Sequence, residues 1–266
     1  MLPNQPSTIK PSISFIVLAL NEESNIQMTV RTILEAVEKS QVADYQIVLV
    51  DDGSTDKTGE IMENLAQANG RIAVVHNNQN LGLGGAYKRG ITLARGDYIM
   101  IVAGDNVMPS SDMSLILDRL GEADIILPYL TNPKLRPLGR RIGSWAFTQI
   151  VNLSFGLRVR YYQGMLPRRE MLNKIRIATD SYAFPAEAVV KLVKGGCSYV
   201  EVGIHNTPCY RGRSRALQPQ RLLGVLRGVL SLAREIRRPG AIPSAHDLGL
   251  ARSPTRESSS FSRECS

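Results

Sequence analysis

Acidic residues follow three strand-sized apolar runs in the first half of this sequence. The pairs are Asn21-Glu22, Asp51-Asp52 and Gly104-Asp105. Because ligands of open parallel sheets bind at the carboxyl ends of the strands, we expect these carboxylates to meet at one edge. Carboxylates in one place repel one another unless a cation or hydrogen-bond donors lie between them. The pattern therefore predicts a site for a divalent metal that carries a diphosphate, together with ribose or sugar hydroxyl groups.

Arginine and lysine residues are concentrated in two stretches of the second half. Residues 134–176 hold ten Lys and Arg residues with one acid, and residues 211–238 hold eight Arg residues with one acid. A basic face of this kind suits phosphorylated ligands, nucleic acids or an anionic membrane surface, although solvated arginine-rich helices are the alternative. Aromatic residues make up 6% of the chain, too few for the stacking surfaces of single-strand binders. We therefore expect no nucleic-acid partner.

The segments that must position these groups alternate between strand and helix patterns. The first 130 residues or so predict one α/β unit with a mostly parallel, Rossmann-like sheet, because short apolar runs alternate with helices of about 10–15 residues. The predicted strands cover residues 13–20, 46–51, 71–76, 97–103 and 124–127. The predicted helices cover residues 24–40, 56–69, 84–94 and 111–120. The second half predicts a helix over 138–157, a strand or turn near 164–167, a helix over 185–195, a strand over 198–204 and an amphipathic helix over 222–236.

Short motifs in the first half occur in the order and spacing of a known family. They are Asn21-Glu22, Val50-Asp51-Asp52-Gly53-Ser54-x-Asp56, Asn80-x-Gly82 and Gly104-Asp105. They resemble glycosyltransferase family 2, whose inverting members use nucleotide-diphospho-sugars. The resemblance covers about residues 12–238 and implies the GT-A fold, an α/β fold with helices flanking a mostly parallel sheet. The second half resembles the dolichyl- or polyprenyl-phosphate sugar transferases through Arg141-x-x-Ser144, Gly164, Ala183-Phe184-x-x-Glu187 and Arg211-Gly212-x-Ser214-Arg215.

The resemblance implies roles for the strand-end residues. Asp52 would hydrogen-bond the base, Glu22 would contact the ribose region, and Asp105 would bind Mg²⁺ or Mn²⁺ bridged to the diphosphate. Ala103 stands where the family has the first acid of its DxD motif, so Asp105 is the remaining carboxylate. His205 follows the predicted strand over 198–204 and is a second candidate metal ligand, although a lone His is often a plain polar residue. The implied site for a UDP- or GDP-sugar comprises Leu20, Asn21, Glu22, Asp51, Asp52, Gly82, Gly104 and Asp105.

Charge changes during sugar transfer suggest which further residues act. The leaving nucleoside diphosphate becomes more anionic, and a metal at Asp105 with Arg211 or Arg213 would stabilise it. A hydroxyl acceptor needs a carboxylate base, for which Asp180 and Glu187 are candidates, each equally interpretable as a helix-start or packing residue. A phosphate acceptor is already anionic and needs arginines instead. The candidates for binding it are Arg136, Arg140, Arg141, Ser144, Arg158 and Arg160. Tyr161 replaces an Asp that the lipid-phosphate enzymes usually carry there. This difference bears on the class of acceptor more than on the class of donor.

These observations predict how the chain is organised. We expect a flexible arm over 1–11, a GT-A catalytic domain over 12–220, an amphipathic helix over 221–238 and a disordered tail over 239–266. Residues 12–130 would bind the nucleotide-sugar and residues 131–220 the acceptor. Three scattered cysteines and the lack of a spanning apolar run indicate a cytoplasmic protein. It would lie on the inner face of the cell membrane if the final helix sits in the interface, and the alternative is that this helix packs on its own domain.

The predicted function is inverting transfer of a sugar from a nucleotide-diphospho-sugar to an acceptor. Polyprenyl phosphate at the membrane face is the favoured acceptor. Transfer to a soluble or glycan hydroxyl is one alternative, since the chain lacks a spanning apolar run and carries Tyr161. A protein that binds nucleotide-sugars without catalysis is another, since the DxD motif is incomplete.

Overall fold

The structure, a computed structural model, describes residues 10–40, 42, 44–161, 164–179 and 183–205, with the short segments 232–234 and 247–248. Its strands are β1 (Ile13–Ala19), β2 (Tyr45–Asp51), β3 (Ile72–His76), β4 (Tyr98–Ala103), β5 (Ile125–Leu130), β6 (Leu166–Pro167) and β7 (Tyr199–Ile204). Its α-helices are α1 (Ile26–Ser40), α2 (Thr58–Ala68), α3 (Gly82–Ile91), α4 (Ser110–Leu117), α5 (Leu138–Phe155), α6 (Arg169–Leu172) and α7 (Phe184–Lys194). The elements predicted up to residue 204 occur with ends shifted by a few residues, while α6 and a 3₁₀ turn over Pro133–Leu135 were not predicted.

Four parallel strands form the first sheet, in the order β3-β2-β1-β4. β1 is buried along its whole length because its side chains alternate between two cores. Ile16 and Leu18 pack with residues of α3 and α7, whereas Phe15 and Val17 pack with residues of α1 and α4. Burial on both faces explains why β1 is an almost unbroken apolar run. The chain leaves β1 toward β2 on one side and returns to β4 on the other, so a topological switch point lies at β1.

Three strands form a second sheet, in the order β6-β5-β7. β5 is parallel to β7 and antiparallel to β6, and an antiparallel bridge between Tyr98 and Arg168 links the start of β4 to the residue after β6. β4, β5 and β7 therefore run in one direction, and their carboxyl ends lie at one edge of the molecule. The strand predicted over 124–127 is present as β5, but it does not pair directly with β4. β6 lies between β4 and β5, so β5 pairs with β6 and β7 instead.

Short pieces of the predicted C-terminal elements lie among the described residues. Residues 232–234 are helical, and Leu232 is buried in the same core as Val151 and Phe155 of α5. At this point the predicted amphipathic helix packs on its own domain. Leu248, in the predicted tail, is buried, and its carbonyl accepts a hydrogen bond from Lys174 at 2.6 Å.

The remaining terminal predictions cannot be compared with the structure. Residues 1–9, and the rest of 221–238 and 239–266, lie outside the described residues. Within the described part of the chain, no helix has the length and apolar character needed to cross a bilayer.

Candidate functional site

Backbone contacts gather the polar ends of β1, β2 and β4 at one edge of the first sheet. The register pairs Ala19 with Asp51, and the Asp52 amide donates to the Ala19 carbonyl at 2.9 Å. The Gly104 amide donates to the Leu18 carbonyl, also at 2.9 Å. A Cβ on Gly104 would come within 2.8 Å of the Ala19 Cβ, so a glycine permits this close approach. We name the gathered segments the polar edge: residues 20–22, 51–56, 76–82 and 104–106.

Asp51 is buried and bonded on both carboxylate oxygens. Its Oδ1 accepts the Ser54 amide at 2.9 Å, and its Oδ2 lies 3.0 Å from Nδ1 of His76. The other ring nitrogen of His76 lies 2.9 Å from Oε1 of Glu63. Burial alone would raise the pKa of Asp51, but the hydrogen bonds from Ser54 and His76 outweigh it and lower the pKa. The bonds to Asp51 and then Glu63 raise the pKa of His76, so both contacts favour the protonated form of its ring.

His76 is a functional candidate that the sequence analysis missed. The residue ends β3, and the parallel register pairs it directly with Asp51 at the end of β2. A signal was present, because both residues were predicted to end neighbouring strands. Spacing along the chain does not show that β2 pairs with β3, and this pairing is what brings His76 beside Asp51.

Asp52 is buried and anchors the loop between β3 and α3. Its Oδ1 accepts hydrogen bonds from Asn77 Nδ2 and from the Leu81 amide, each at 2.9 Å. Its Oδ2 accepts the Gly82 amide at 3.1 Å. A carboxylate has about four lone-pair positions, so three donors leave one for a ligand. Asp52 thus shapes the loop and retains capacity for one N–H of a bound base.

Asn21 holds the turn after β1 against the β2 loop. Its φ of 57° lies in the left-handed region, which Asn tolerates better than most residues. Its amide donates to Ser54 Oγ at 2.9 Å, and its Oδ1 accepts the Thr55 amide at 2.8 Å. Half-buried Leu20 precedes it. The two loops are therefore fixed relative to each other before any ligand binds.

Glu22 lies beside two other carboxylates. Burial raises the pKa of Glu22, whereas the hydrogen bond that Asn25 donates at 2.7 Å lowers it. The negative charges of Asp105 and then Asp56 also raise this pKa, so the net shift is upward. Asp56 also caps the start of α2, since it accepts the Thr58 amide at 3.0 Å. Three negative groups therefore share this part of the polar edge, which favours a cation nearby.

Asp105 is the acidic end of β4. It is exposed to solvent, and the Val107 amide donates to its Oδ1 at 3.3 Å. Although the residue reaches solvent, the surrounding protein partly desolvates its carboxyl group, which raises the pKa of Asp105. Among the described residues no group of three His, Cys, Asp or Glu side chains is arranged to hold a metal. The donor set fits a cation held by the single Asp105 carboxylate, with diphosphate and water oxygens completing the shell as Mg²⁺ commonly requires.

His205 is held by its backbone rather than its ring. Its amide donates to Asp112 Oδ2 at 3.0 Å, and its carbonyl accepts a hydrogen bond from Asn132. Within the described part of the chain its ring forms no ion pair with a carboxylate. The structure therefore brings Asp105 into the polar edge but supplies no contact between it and His205.

A cavity of about 500 Å³ lies at the carboxyl end of β5, against α5. Arg136, Arg141 and Arg160 line it together with Ser144. Arg140 does not line it. Apolar or aromatic side chains make up most of the remaining wall: Tyr129, Leu130, Pro133, Leu138, Ile142, Trp145 and Tyr161.

Aromatic and acidic neighbours orient two of the cavity arginines. Arg136 Nη1 donates to the Tyr161 hydroxyl at 2.8 Å. The Arg160 guanidinium lies 4.6 Å from the centre of the Tyr129 ring, and its Nε lies 3.4 Å from Glu201. Tyr161 thus holds Arg136 without neutralising it, whereas an Asp at that position would. With Tyr161 rather than Asp at this position, the positive charge of Arg136 stays available to an anionic ligand.

Glu187, a candidate base, is buried within α7. Its carboxylate accepts the amides of Ala178 and Thr179 at 2.7 and 2.9 Å. It also pairs with the buried ammonium of Lys191 at 2.8 Å. These contacts favour the interpretation of Glu187 as a packing residue that anchors the segment before residue 180. The other candidates in this group, Asp180, Arg211 and Arg213, lie outside the described residues.

Comparisons with known proteins agree with this architecture. Residues 14–176 match the family model for Glycosyl transferase family 2. "Glycosyltransferase AglD" of Haloferax volcanii is 27% identical over 206 residues, covering 74% of this chain and 33% of that protein. "Polyprenol monophosphomannose synthase" of Mycolicibacterium smegmatis is 28% identical over 231 residues, covering 79% of this chain and 83% of that protein. The chain spans about a third of the length of several other curated relatives that it matches.

Solved structures share the fold. Glucosyl-3-phosphoglycerate synthase from Mycobacterium tuberculosis, in complex with Mn²⁺, UDP-glucose and phosphoglyceric acid, aligns with a TM-score of 0.58. The two are 20% identical, and the alignment covers 84% of this chain and 80% of that one. The predicted α/β fold, with helices flanking a mostly parallel sheet, is confirmed.

Proposed function

The chain belongs to glycosyl transferase family 2, and from that premise we propose that it transfers a hexose from a UDP- or GDP-sugar to the phosphate of a polyprenyl phosphate, with inversion at the anomeric carbon. The observation that carries the acceptor assignment is the composition of the cavity beside α5. Three arginines and a serine line the same cavity as Leu138, Ile142 and Trp145. This pairing of charge with apolar surface matches a phosphate joined to a hydrocarbon chain.

The cavity arginines suit a phosphate for two physical reasons. A guanidinium donates in a fixed planar fork that matches phosphate oxygens, and it stays charged at any working pH. Tyr161 orients Arg136 through a neutral hydroxyl, so that charge is preserved. Glu201 offsets part of the charge of Arg160, which leaves Arg136 and Arg141 as the principal phosphate ligands.

The acceptor phosphate needs no general base, because its oxygen is already an anion. This agrees with the position of Glu187, whose carboxylate is occupied by two amides and the Lys191 ammonium. A hydroxyl acceptor would require a free carboxylate near its proton. Phosphate as the nucleophile therefore needs no part from Glu187, whose contacts already occupy its carboxylate.

The polar edge would bind the nucleotide-sugar. Asp52 would accept one N–H of the base at its remaining lone-pair position while it holds the Leu81 and Gly82 amides. Glu22 would contact the ribose. Asp105 would hold Mg²⁺ or Mn²⁺, which supplies positive charge to the β-phosphate when bound.

The directions of β4 and β5 support a direct displacement between the two proposed sites. The carboxyl ends of β4 and β5 point the same way because β6 is antiparallel to both. Asp105 follows β4, and the cavity begins with Tyr129 and Leu130 of β5. The acceptor phosphate would attack the anomeric carbon from the side opposite the diphosphate, which inverts that centre.

The relatives support the same substrate class. The alignment with the polyprenol monophosphomannose synthase covers most of this chain and most of that protein. By its name, that protein makes a lipid-linked sugar phosphate. An acceptor of that kind resides in a membrane, so we also propose a peripheral location on the membrane face where nucleotide-sugars are available.

A panel assay tests this proposal. Purified full chain is incubated with UDP-glucose, UDP-galactose or GDP-mannose and Mg²⁺, with a short-chain isoprenyl phosphate, 3-phosphoglyceric acid or a free sugar as acceptor. Mass spectrometry should detect a hexosyl isoprenyl phosphate from one donor. Products on 3-phosphoglyceric acid or a free sugar alone would overturn the lipid-phosphate assignment. Donor binding without any product would favour a non-catalytic protein instead.

A further inference from the structure

The outer side of α5 presents large apolar side chains to solvent. Four of them are 57–84% exposed: Leu138, Ile142, Trp145 and Leu153. Their spacing along the helix places them on one face, whereas Val151 and Phe155 point into the core. Among the described residues, every large apolar side chain that is more than half exposed belongs to this set. We name these four residues the outer face of α5.

The segments before, within and after α5 are rich in basic residues, of which Arg160 pairs with Glu201 and Arg168 with Asp124. No Asp or Glu occurs between Asp124 and Glu170 in the sequence. The same interval holds eight basic residues: Lys134, Arg136, Arg140, Arg141, Arg158, Arg160, Arg168 and Arg169. An exposed apolar stripe bordered by arginines is complementary to a surface that is apolar inside and anionic outside.

A second copy of the chain fits this face poorly. In a two-fold dimer the same patch meets itself, so the basic borders of two α5 helices would face each other. That juxtaposition is repulsive, and nothing acidic in this interval offsets it. An anionic bilayer has the opposite charge and accommodates Leu, Ile and Trp side chains at its headgroup boundary.

We propose that the outer face of α5 docks onto an anionic lipid bilayer. Leu138, Ile142 and Trp145 also line the cavity, so docking would place the cavity mouth against the membrane. This inference deepens the proposed function, since it says how a lipid-borne phosphate would reach Arg136 and Arg141. It differs from the expectation that residues 221–238 make the membrane contact.

The only tryptophan of the chain is Trp145, so its fluorescence reports on this face alone. The full chain is mixed with phosphatidylglycerol or phosphatidylcholine vesicles that contain no polyprenyl phosphate. Phosphatidylglycerol should shift the emission to shorter wavelength, brominated lipid should quench it, and 0.5 M salt should weaken both effects. Emission that phosphatidylglycerol vesicles leave unchanged would overturn the proposal. So would a shift that instead follows protein concentration without lipid, which would indicate a second copy.

A pair of variants separates docking from catalysis. Leu153→Glu places a charge on the outer face but outside the acceptor cavity, and it should weaken partition into phosphatidylglycerol vesicles about tenfold or more. Leu115→Glu, at a 45% exposed position of α4, is the matched control and should partition like wild type. Equal partition of all three proteins would overturn the proposal.

The transfer reaction without vesicles distinguishes the two proposals from each other. Leu153→Glu should transfer sugar to a short-chain, water-soluble isoprenyl phosphate at the wild-type rate. Loss of this activity in Leu153→Glu while the variant remains folded by circular dichroism would contradict a pure docking role. Vesicle binding by a wild type that transfers no sugar would sustain the docking inference and reject the proposed function.

Discussion

The polar edge and the cavity beside α5 differ in how far their charged side chains are buried and already bonded within the protein. At the polar edge, Asp51 and Asp52 are buried and already bonded to amides and side chains of neighbouring loops. At the cavity, the arginines lie among partly exposed apolar residues and carry few acidic partners. Under the proposed function, this difference corresponds to a rigid, pre-formed site for the nucleotide and an open, cationic site for the acceptor. Rigidity lowers the ordering cost of donor binding, whereas openness suits a large lipid.

The largest expected effect is at Asp105, which in the proposed function would hold the metal against the leaving diphosphate. Asp105→Asn keeps the shape but removes the charge that would hold the metal against the leaving diphosphate. Because this charge matters most in the transition state, turnover should fall about 10²-fold or more while donor affinity changes less. Steady-state kinetics over a Mg²⁺ titration measure both.

The control is Asp44→Asn, an exposed acid at the opposite edge of the sheet that pairs with Arg71. It should behave like wild type. Full activity of the wild type in excess chelator would contradict the metal assignment.

The next effect is on donor affinity. Asp52→Ala removes the carboxylate that would accept the base and that orders the loop ending at Gly82. A lost hydrogen bond to a charged group costs about 1.5–3 kcal/mol, so nucleotide affinity should fall about ten- to a hundredfold. Calorimetric titration with UDP and GDP measures it. Unchanged affinity for the nucleotide that binds would remove Asp52 from the site.

A smaller effect distinguishes the acceptor cavity from the polar edge. Arg141→Ala should raise KM for a short-chain isoprenyl phosphate about tenfold, because one of several partly solvated phosphate contacts is lost. Donor affinity should not change. Arg140→Ala removes a neighbouring arginine that does not line the cavity and should have little effect. If the two variants raise KM equally, general basic charge rather than the cavity binds the acceptor.

The smallest effect concerns the His76 contacts within the polar edge. The pKa of His76 is raised by Asp51 and Glu63, so its charged form stabilises the fold. That contribution is complete below the unfolded value of about 6.5 and disappears as pH rises through the higher folded value. Urea unfolding should therefore show wild-type stability falling above about pH 6.5 relative to His76→Gln. Parallel pH profiles of the two proteins would show that the contacts contribute nothing.

Sequence patterns predicted the polar edge well because each of its acidic residues directly follows a strand that the local pattern reveals. Strand ends carry their loops with them, so Asp51, Asp52 and Asp105 could be placed at one edge from the βαβ rhythm alone. The partners of those residues could not be predicted. His76 and Asn77 reach Asp51 and Asp52 through strand pairing and loop closure, which depend on contacts distant in sequence.

The acceptor half was harder to predict from sequence. The strand at 124–127 was predicted without its partners, because nothing local shows that a two-residue strand, β6, separates β5 from β4. The basic stretch was recognised, but sequence alone did not divide Arg136, Arg141 and Arg160 from Arg140. The cavity wall makes that division, since it combines residues before, within and after α5, and its shape depends on how those segments pack together.

The structure of the reaction product tests the central claim most directly. ¹H and ³¹P NMR of the product formed from an α-linked nucleotide-sugar and a short-chain isoprenyl phosphate would identify the new bond and its configuration. A β-linked phosphodiester between the anomeric carbon and the acceptor phosphate is the predicted result. A sugar attached to a hydroxyl group, or an α-linked product, would contradict an inverting transfer to a phosphate held by the cavity arginines.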